Sequence, residues 1–432
     1  VTTQQVSSLL LALALISLLA FGAGTVAQRL RQPPVVGEVL LGVLLGPTFL
    51  TGIVADTLFP KDIRPFLAAL ANIGVALFMF SVGAELNASL LRGRRIVAGS
   101  VAAGSIALPF GLGALLALYL FTGHPTGNRT GFVLFMGAAM SVTAFPVLAR
   151  IIVDRGLNQT WLGNVALACA AIDDVLAWSL LAVVVAISAA GVGSQWLLLL
   201  FLPYLLLMAV AVRPVLRRWL ERRRVPGDRT PATLVITLAG LLASAAFTEW
   251  IGLHFIFGAF FFGVIMPRVA ESDQRPDITG RMTERISHLN DLLLLPIFFI
   301  VAGLRVDLSN MDGQDVLDLV LVLAVAVGGK FVGAFVAARL RGLRSRAAGA
   351  LAVLMNTRGL TELIILSVGL QLGVLDGKLY SAMVVMALVT TAMAGPLLRL
   401  IHPMWMVSEG PRGDRHAPAS AVTAVEGPRH PA

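Results

Sequence analysis

Two adjacent carboxylates lie in the middle of an apolar run, Ala170-Ala171-Ile172-Asp173-Asp174-Val175-Leu176-Ala177-Trp178. The run from about 161 to 188 is long enough to cross a bilayer. A charge at the centre of such a helix costs roughly 2.5–3.5 kcal/mol on insertion scales, and intramembrane acids are retained mainly where an ion or proton must stop. Adjacent helical residues point about 100° apart, so one acid can face an ion path while the other meets a neighbouring element. Hard monovalent cations such as Na⁺ and K⁺ favour carboxylate and carbonyl oxygens, by the logic that governs Mg²⁺ and Ca²⁺. Burial and mutual repulsion both favour a protonated carboxyl, so protons would compete with a cation here. A static inter-helix salt bridge is the plainer alternative, and it accounts poorly for two acids side by side.

Three further groups could take part. Lys330, one of three lysines in the chain, sits mid-span in Val327-Gly328-Gly329-Lys330-Phe331. A buried ammonium needs a carboxylate partner, and Asp173 is the natural one; a purely structural bridge is the alternative. Met140-Ser141-Val142-Thr143-Ala144-Phe145-Pro146 carries a proline whose missing N–H would free the Val142 carbonyl. Ser141 and Thr143 add hydroxyls there, so a broken helix would offer backbone and side-chain oxygens to a cation. A kinked packing helix would explain the proline alone. A matching polar patch, Met355-Asn356-Thr357-Arg358-Gly359-Leu360-Thr361-Glu362, favours a functional break with Gly359 at its centre. Arg358 and Glu362 are spaced i,i+4 and can pair along one face, stabilising that break; a direct part in transport is the alternative. His254 and His288 lie near span ends and are expected to face water. No metal other than a monovalent cation at Asp174, and no cofactor, is expected.

The surrounding elements must be membrane helices. Of 432 residues, 57% are hydrophobic and 13% charged, about half the charged fraction of a soluble domain. Thirteen spans are expected, at 7–27, 34–51, 65–86, 96–121, 130–152, 160–188, 196–216, 231–250, 253–267, 288–306, 316–339, 346–373 and 379–401; the short 253–267 segment leaves twelve open. The first run lacks a basic leader and a small-residue cleavage site, so it is expected to be retained. The lone cysteine, Cys169, cannot form an internal disulfide. Most of the 33 Lys and Arg follow odd-numbered spans, and only Lys61, Arg64, Arg129, Arg305 and Lys378 follow even-numbered ones. This asymmetry places the N-terminus outside and the C-terminus in the cytoplasm. It also makes the net charge of +9 a topology signal rather than a nucleic-acid footprint. Six spans on either side of the 196–216 helix suggest an inverted repeat, a common plan of secondary transporters with midplane sites on broken helices. The expected divisions are 1–190 (first repeat), 191–230 (linker helix and basic loop), 231–403 (second repeat) and 404–432 (disordered tail).

Taken together, several segments resemble the monovalent cation:proton antiporter-2 family, which includes bacterial sodium/proton antiporters, Kef-type potassium efflux proteins and plant cation/proton exchangers. They are Gly37-Glu38-Val39-Leu40 with Gly42 through Pro47, Ser141 through Arg150, Ala171 through Val175, Gly329-Lys330, and Asn356 through Leu363. The resemblance implies an all-α inverted-repeat fold with a panel-like dimerisation domain and a six-helix core, whose two broken helices cross near the ion site. It implies Asp174 as the main cation and proton carrier, and Asp173 with Lys330 as the salt bridge of electrogenic members. It also implies a homodimer through the first and eighth spans. No long nucleotide-binding domain follows Pro403, so regulation of the Kef type is not expected.

The expectation is therefore a bacterial inner-membrane antiporter exchanging Na⁺ or K⁺ for protons, and not an enzyme. The alternative is a cation channel or organic-solute carrier on the same fold. An intramembrane aspartyl protease needs aspartates on two helices, whereas these are consecutive; no His-Glu-x-x-His zinc motif is present.

Overall fold

A computed structural model describes residues 2–50, 53–85, 95–126, 128–157, 160–189, 200–222, 230–267, 278–309 and 311–401. The expected tail at 404–432 and parts of the 191–230 linker lie outside these residues. Everything described is helix or short connection, as a chain must be whose backbone polar groups have to be satisfied within lipid. Apart from two short helices at Pro47–Leu50 and Ile53–Leu58, the helices are α1 (Thr3–Arg29), α2 (Pro34–Leu45), α3 (Arg64–Glu85), α4 (Arg95–Leu120), α5 (Arg129–Ser141), α6 (Phe145–Asp154) and α7 (Trp161–Ala189). The α8 helix runs Phe201–Leu207, through a π-turn at Met208–Val212, into Arg213–Arg222. Then come α9 (Thr230–Trp250), α10 (Phe255–Ile265), and α11, which runs Ile278–Leu289, through a π-turn at Asn290–Leu294, into Leu295–Leu304. Last are α12 (Gly313–Leu340), α13 (Ser345–Met355), α14 (Leu360–Gln371) and α15 (Gly377–Ile401).

Each expected span overlaps a helix, but the count of thirteen is not established. Among the described residues, nine helical segments are long and apolar enough to cross a membrane, or ten with α13 and α14 taken as one span bent by 43°. The α2 and α10 helices are shorter apolar pieces.

Packing sorts the helices into two groups. In one, α2 packs on α1 and α11, and α3 on α10 and α11, with α9 against α10. In the other, α4 packs on α5, α7 and α12, and α12 on α13 and α15. Close approach within each group rests on facing glycines. A Cβ on Gly263 of α10 would sit 2.2 Å from the Phe80 carbonyl oxygen of α3, and one on Gly333 of α12 would sit 2.2 Å from that of Gly104 in α4. Small residues that let backbones meet are the usual adhesive between membrane helices.

At one end of the second group, three connections are tied by charge. His124, which follows α4, places Nδ1 2.6 Å from Asp376 Oδ2 and Nε2 3.3 Å from Asp318 Oδ2 of α12. Nearby, Lys378 Nζ donates to Asp315 Oδ2 at 2.7 Å. The hydrogen bond that His124 donates to Asp376 raises the His124 pKa above its ordinary 6.5, with Asp318 adding to it against the opposing effect of burial.

Two outcomes follow. Gly263→Ala forces α3 and α10 apart and should cost about 1–3 kcal/mol, read as a lower melting temperature in detergent. A raised histidine pKa gives stability that is complete below about 6.5, the unfolded value, and is lost as pH rises through the folded value. The melting temperature should therefore fall on alkalinisation from pH 6.5 upward, and His124→Gln should flatten that fall. A wild-type profile with the opposite slope over this range would refute the charge on His124.

Candidate ion-binding site at the helix crossing

The helix begun by α5 stops at Ser141, and Val142, Thr143 and Ala144 continue outside it, Val142 (φ −69°, ψ 141°) in extended backbone, before α6 begins at Phe145. A helix end leaves its last four carbonyls without intrahelical partners. Here each receives a side-chain donor. Ser141 Oγ donates to Ala138 O at 2.8 Å. Arg358 donates through Nη1 to Ala139 O at 2.6 Å and through Nη2 to Met140 O at 2.6 Å. Lys330 Nζ donates to Ser141 O. Pro146 lies just beyond the break that was expected near Val142. It occupies the first turn of α6, where no backbone donor is required, and so it starts the second half-helix rather than ending the first.

The second break, between α13 and α14, is stitched to the first. Thr143 Oγ1 lies 3.0 Å from Met355 O, sharing its one proton between that carbonyl and Asp173, and Ala144 N–H donates to Thr357 O at 3.1 Å. Thr391 Oγ1 of α15 donates to Arg358 O at 2.7 Å. Gly359 is required by proximity: a Cβ there would lie 2.4 Å from Val147 Cγ2 of α6.

The carboxylates fall into two kinds. Asp173 is fully buried and saturated, accepting from Thr143 Oγ1 at 2.6 Å, Ser105 Oγ at 3.2 Å and Lys330 Nζ at 3.3 Å. Glu362 is buried and accepts from Arg358 Nη1 at 2.7 Å. Asp174 lies beside the Phe145 N–H, at the positive end of the α6 dipole. It is 0% exposed, yet neither of its oxygens has a hydrogen-bond partner among the described residues.

The expected residues thus converge: Asp173, Asp174, Ser141, Val142, Thr143, Pro146, Lys330, Arg358, Gly359 and Glu362 all belong to the crossing or its immediate supports. The oxygens of Ser141 and the hydroxyl of Thr143 are engaged with protein donors and acceptors. Ser105 and Thr391 were not singled out from the sequence. Serine and threonine are common in membrane helices, and nothing local marks these two.

A membrane protein with two interrupted helices meeting over an unpaired intramembrane acid is built as a secondary transporter. Residues 14–402 match the family model "Sodium/hydrogen exchanger, transmembrane", and the chain belongs to this family. It is 38% identical to the Na(+)/H(+) antiporter NhaS4 of Synechocystis over 88% of this chain and 93% of that protein. It is 35% identical to the K(+)/H(+) antiporter 1 of Saccharomyces cerevisiae over 93% of this chain but 47% of that protein. The chain likewise spans about half the length of the Arabidopsis thaliana cation/H(+) antiporters it matches. The structure superposes on the sodium proton antiporter MjNhaP1 of Methanocaldococcus jannaschii with a TM-score of 0.61 at 16% identity, covering 92% of this chain and 99% of that one. The fold is therefore the antiporter fold.

The fork of Arg358 reaches two carbonyls and one carboxylate at once, which a lysine cannot do. Arg358→Lys should leave a buried acceptor unpaired at a cost of about 1–3 kcal/mol. An unchanged melting temperature for this variant would show that the guanidinium does not hold the break.

Proposed function

We propose that Asp174 carries a monovalent cation and a proton in turn, and that this exchange is how the chain performs the antiport of its family. The observation that supports it is the isolation of this one carboxylate. Each of the other acids at the crossing has a cation of its own: Asp173 has Lys330 and Glu362 has Arg358. A buried carboxylate with no partner is held at acceptable cost only when a proton or a bound cation neutralises it. Two such occupants of one group exclude each other, and mutual exclusion at one site is the coupling an exchanger needs. Na⁺ and K⁺ are the cargo named for the relatives, and both suit oxygen donors. A channel or organic-solute carrier on the same fold is not favoured, because the relatives are exchangers.

Lys330 is proposed to add a second charge to the cycle. It holds Asp173 when the site is empty; a cation at Asp174 would weaken that pair and let the lysine lose its proton. The basic ends of the helices are assigned to the cytoplasm of a bacterial inner membrane. A homodimer through α1 and α9 completes the proposal; it rests on the family resemblance, and both helices have outward apolar residues, Leu18 and Val235 among them, available to meet a second copy.

Three measurements bear on this. In vesicles reporting internal pH, Asp174→Asn should abolish cation-dependent proton flux while the protein remains folded; flux near the wild-type rate would refute the assignment. A membrane potential imposed without a pH gradient should drive cation accumulation in wild type, and Lys330→Gln should lose that response. An equal response in the variant would make Lys330 structural only. Native mass measurement from mild detergent should give a dimer, and a fully active monomer would overturn that part.

A further inference from the structure

The two helix groups meet along a seam whose ends differ. On the side where α11 and α14 begin, the seam opens into a cavity of about 370 Å³. Glu38, Asp291 and Phe299 line one wall, and Pro146, Val147 and Leu360 the other, so the cavity reaches the first turns of the two half-helices that follow the breaks. At the opposite end of the same two helices the seam is shut. Tyr380 Oη, at the start of α15, donates to Ala302 O of α11 at 3.1 Å. The next residue, Ser381, accepts at Oγ from the Asp307 N–H, just beyond α11, at 3.0 Å. His254 Nε2 and Gln371 Oε1 approach within 3.2 Å across the same seam. Between these contacts only about 40 Å³ remains, lined by residues such as Ala302, Ser367 and Gln371, room for very few waters. A second cavity, of about 390 Å³, lies beyond them on the outer side and includes Asp307, Lys378 and Ala382.

Leu360 to Gln371 is about 16 Å of helix. Open and closed ends are therefore separated along the seam, with the crossing nearer the open one. Gln32 Nε2, between α1 and α2, also bridges the groups, to Ala392 O of α15 at 3.1 Å, on the open side.

We propose that Tyr380 and Ser381 are a latch: their bonds to Ala302 and Asp307 hold the two groups together at one end, and so fix the protein with the seam open at the other, the end nearer the crossing. The pairing suits a contact that must break and re-form. Each bond joins a hydroxyl to a backbone group, with no buried ion pair to separate. Tyr380 is 0% exposed and Ser381 1%, so the bonds form out of competition with water. Opening the far side requires both hydroxyls to leave their partners together, because they are consecutive on one helix turn. This inference rests on the exchanger reading of Asp174 only in supposing that the site must be reached from both sides.

The test is accessibility. In a Cys169→Ala background, reporter cysteines are placed at Leu295 (Leu295→Cys), on the wall of the open cavity, and at Ser367 (Ser367→Cys), a near-isosteric change in the closed half beside Tyr380. Each is made with and without Tyr380→Phe/Ser381→Ala, and the rate of modification by a charged methanethiosulfonate reagent is followed in detergent. The latch predicts that its loss speeds modification at position 367 by about fivefold or more, the factor of one net hydrogen bond, and slows it at position 295. Unchanged rates at both positions overturn the proposal, and so does a rise at both, which means general loosening. If the double variant does not fold, Tyr380→Phe alone, which removes a single hydroxyl, decides between the same outcomes. The readout does not depend on transport. A shift in labelling with an Asp174→Asn variant that still exchanges ions would uphold the latch and sink the site assignment, and the converse pair of results would do the reverse.

Discussion

The arrangement depends on how the broken end of α5 is satisfied. Stopping a helix inside a membrane frees four carbonyls where water is not available to meet them, and each would cost several kcal/mol unpaired. This chain answers with one hydroxyl, one guanidinium and one ammonium, all aimed at consecutive carbonyls. Positive charge at a helix C-terminus is also favoured by the dipole. The two buried cations are therefore anchored by backbone first and by carboxylates second.

That order of dependence explains the charge pattern. Arg358 and Lys330 would be intolerable in lipid without counter-charges, and Glu362 and Asp173 supply them. Asp173 is further held by Thr143 and Ser105, and Thr143 in turn ties the first break to the second. What remains is Asp174, excluded from this network by the 100° that separates neighbours on a helix. The network is thus a frame of ion pairs around one acid that has no cation of its own. Because Arg358 and the Met355 and Thr357 carbonyls belong to the second break while their partners belong to the first, neither break can shift without the other. The crossing moves as one body within its helix group, and motion is left to the seam between groups.

Much of this was legible in the sequence because charge in an apolar run has few explanations. Asp173, Asp174, Lys330, Arg358 and Glu362 stand out against their neighbours, and the i,i+4 spacing and the Asp173–Lys330 pairing follow from geometry and charge. Fold class followed from the length of the apolar runs. Three things were not legible. Ser105 and Thr391 are ordinary residues for a membrane helix, and only tertiary placement makes them donors at the site. The exact end of α5 was hidden because the missing N–H of Pro146 marks the interior of a helix and its first turn equally well; the stop is set by the donors that reach Ala139, Met140 and Ser141 from distant segments. Last, the division into two packing groups depends on facing glycines such as Gly104 with Gly333, and a single sequence does not show which glycines face each other.

The central claim, that a proton and a cation replace one another on Asp174, is tested most directly by proton release on binding. Purified protein in detergent is titrated with NaCl, and separately with KCl, in weak buffer at fixed ionic strength, while the liberated protons are counted. The account predicts protons released on cation binding in wild type, and neither release nor binding in Asp174→Asn. Cation binding without proton release in wild type, or undiminished release in Asp174→Asn, would contradict it.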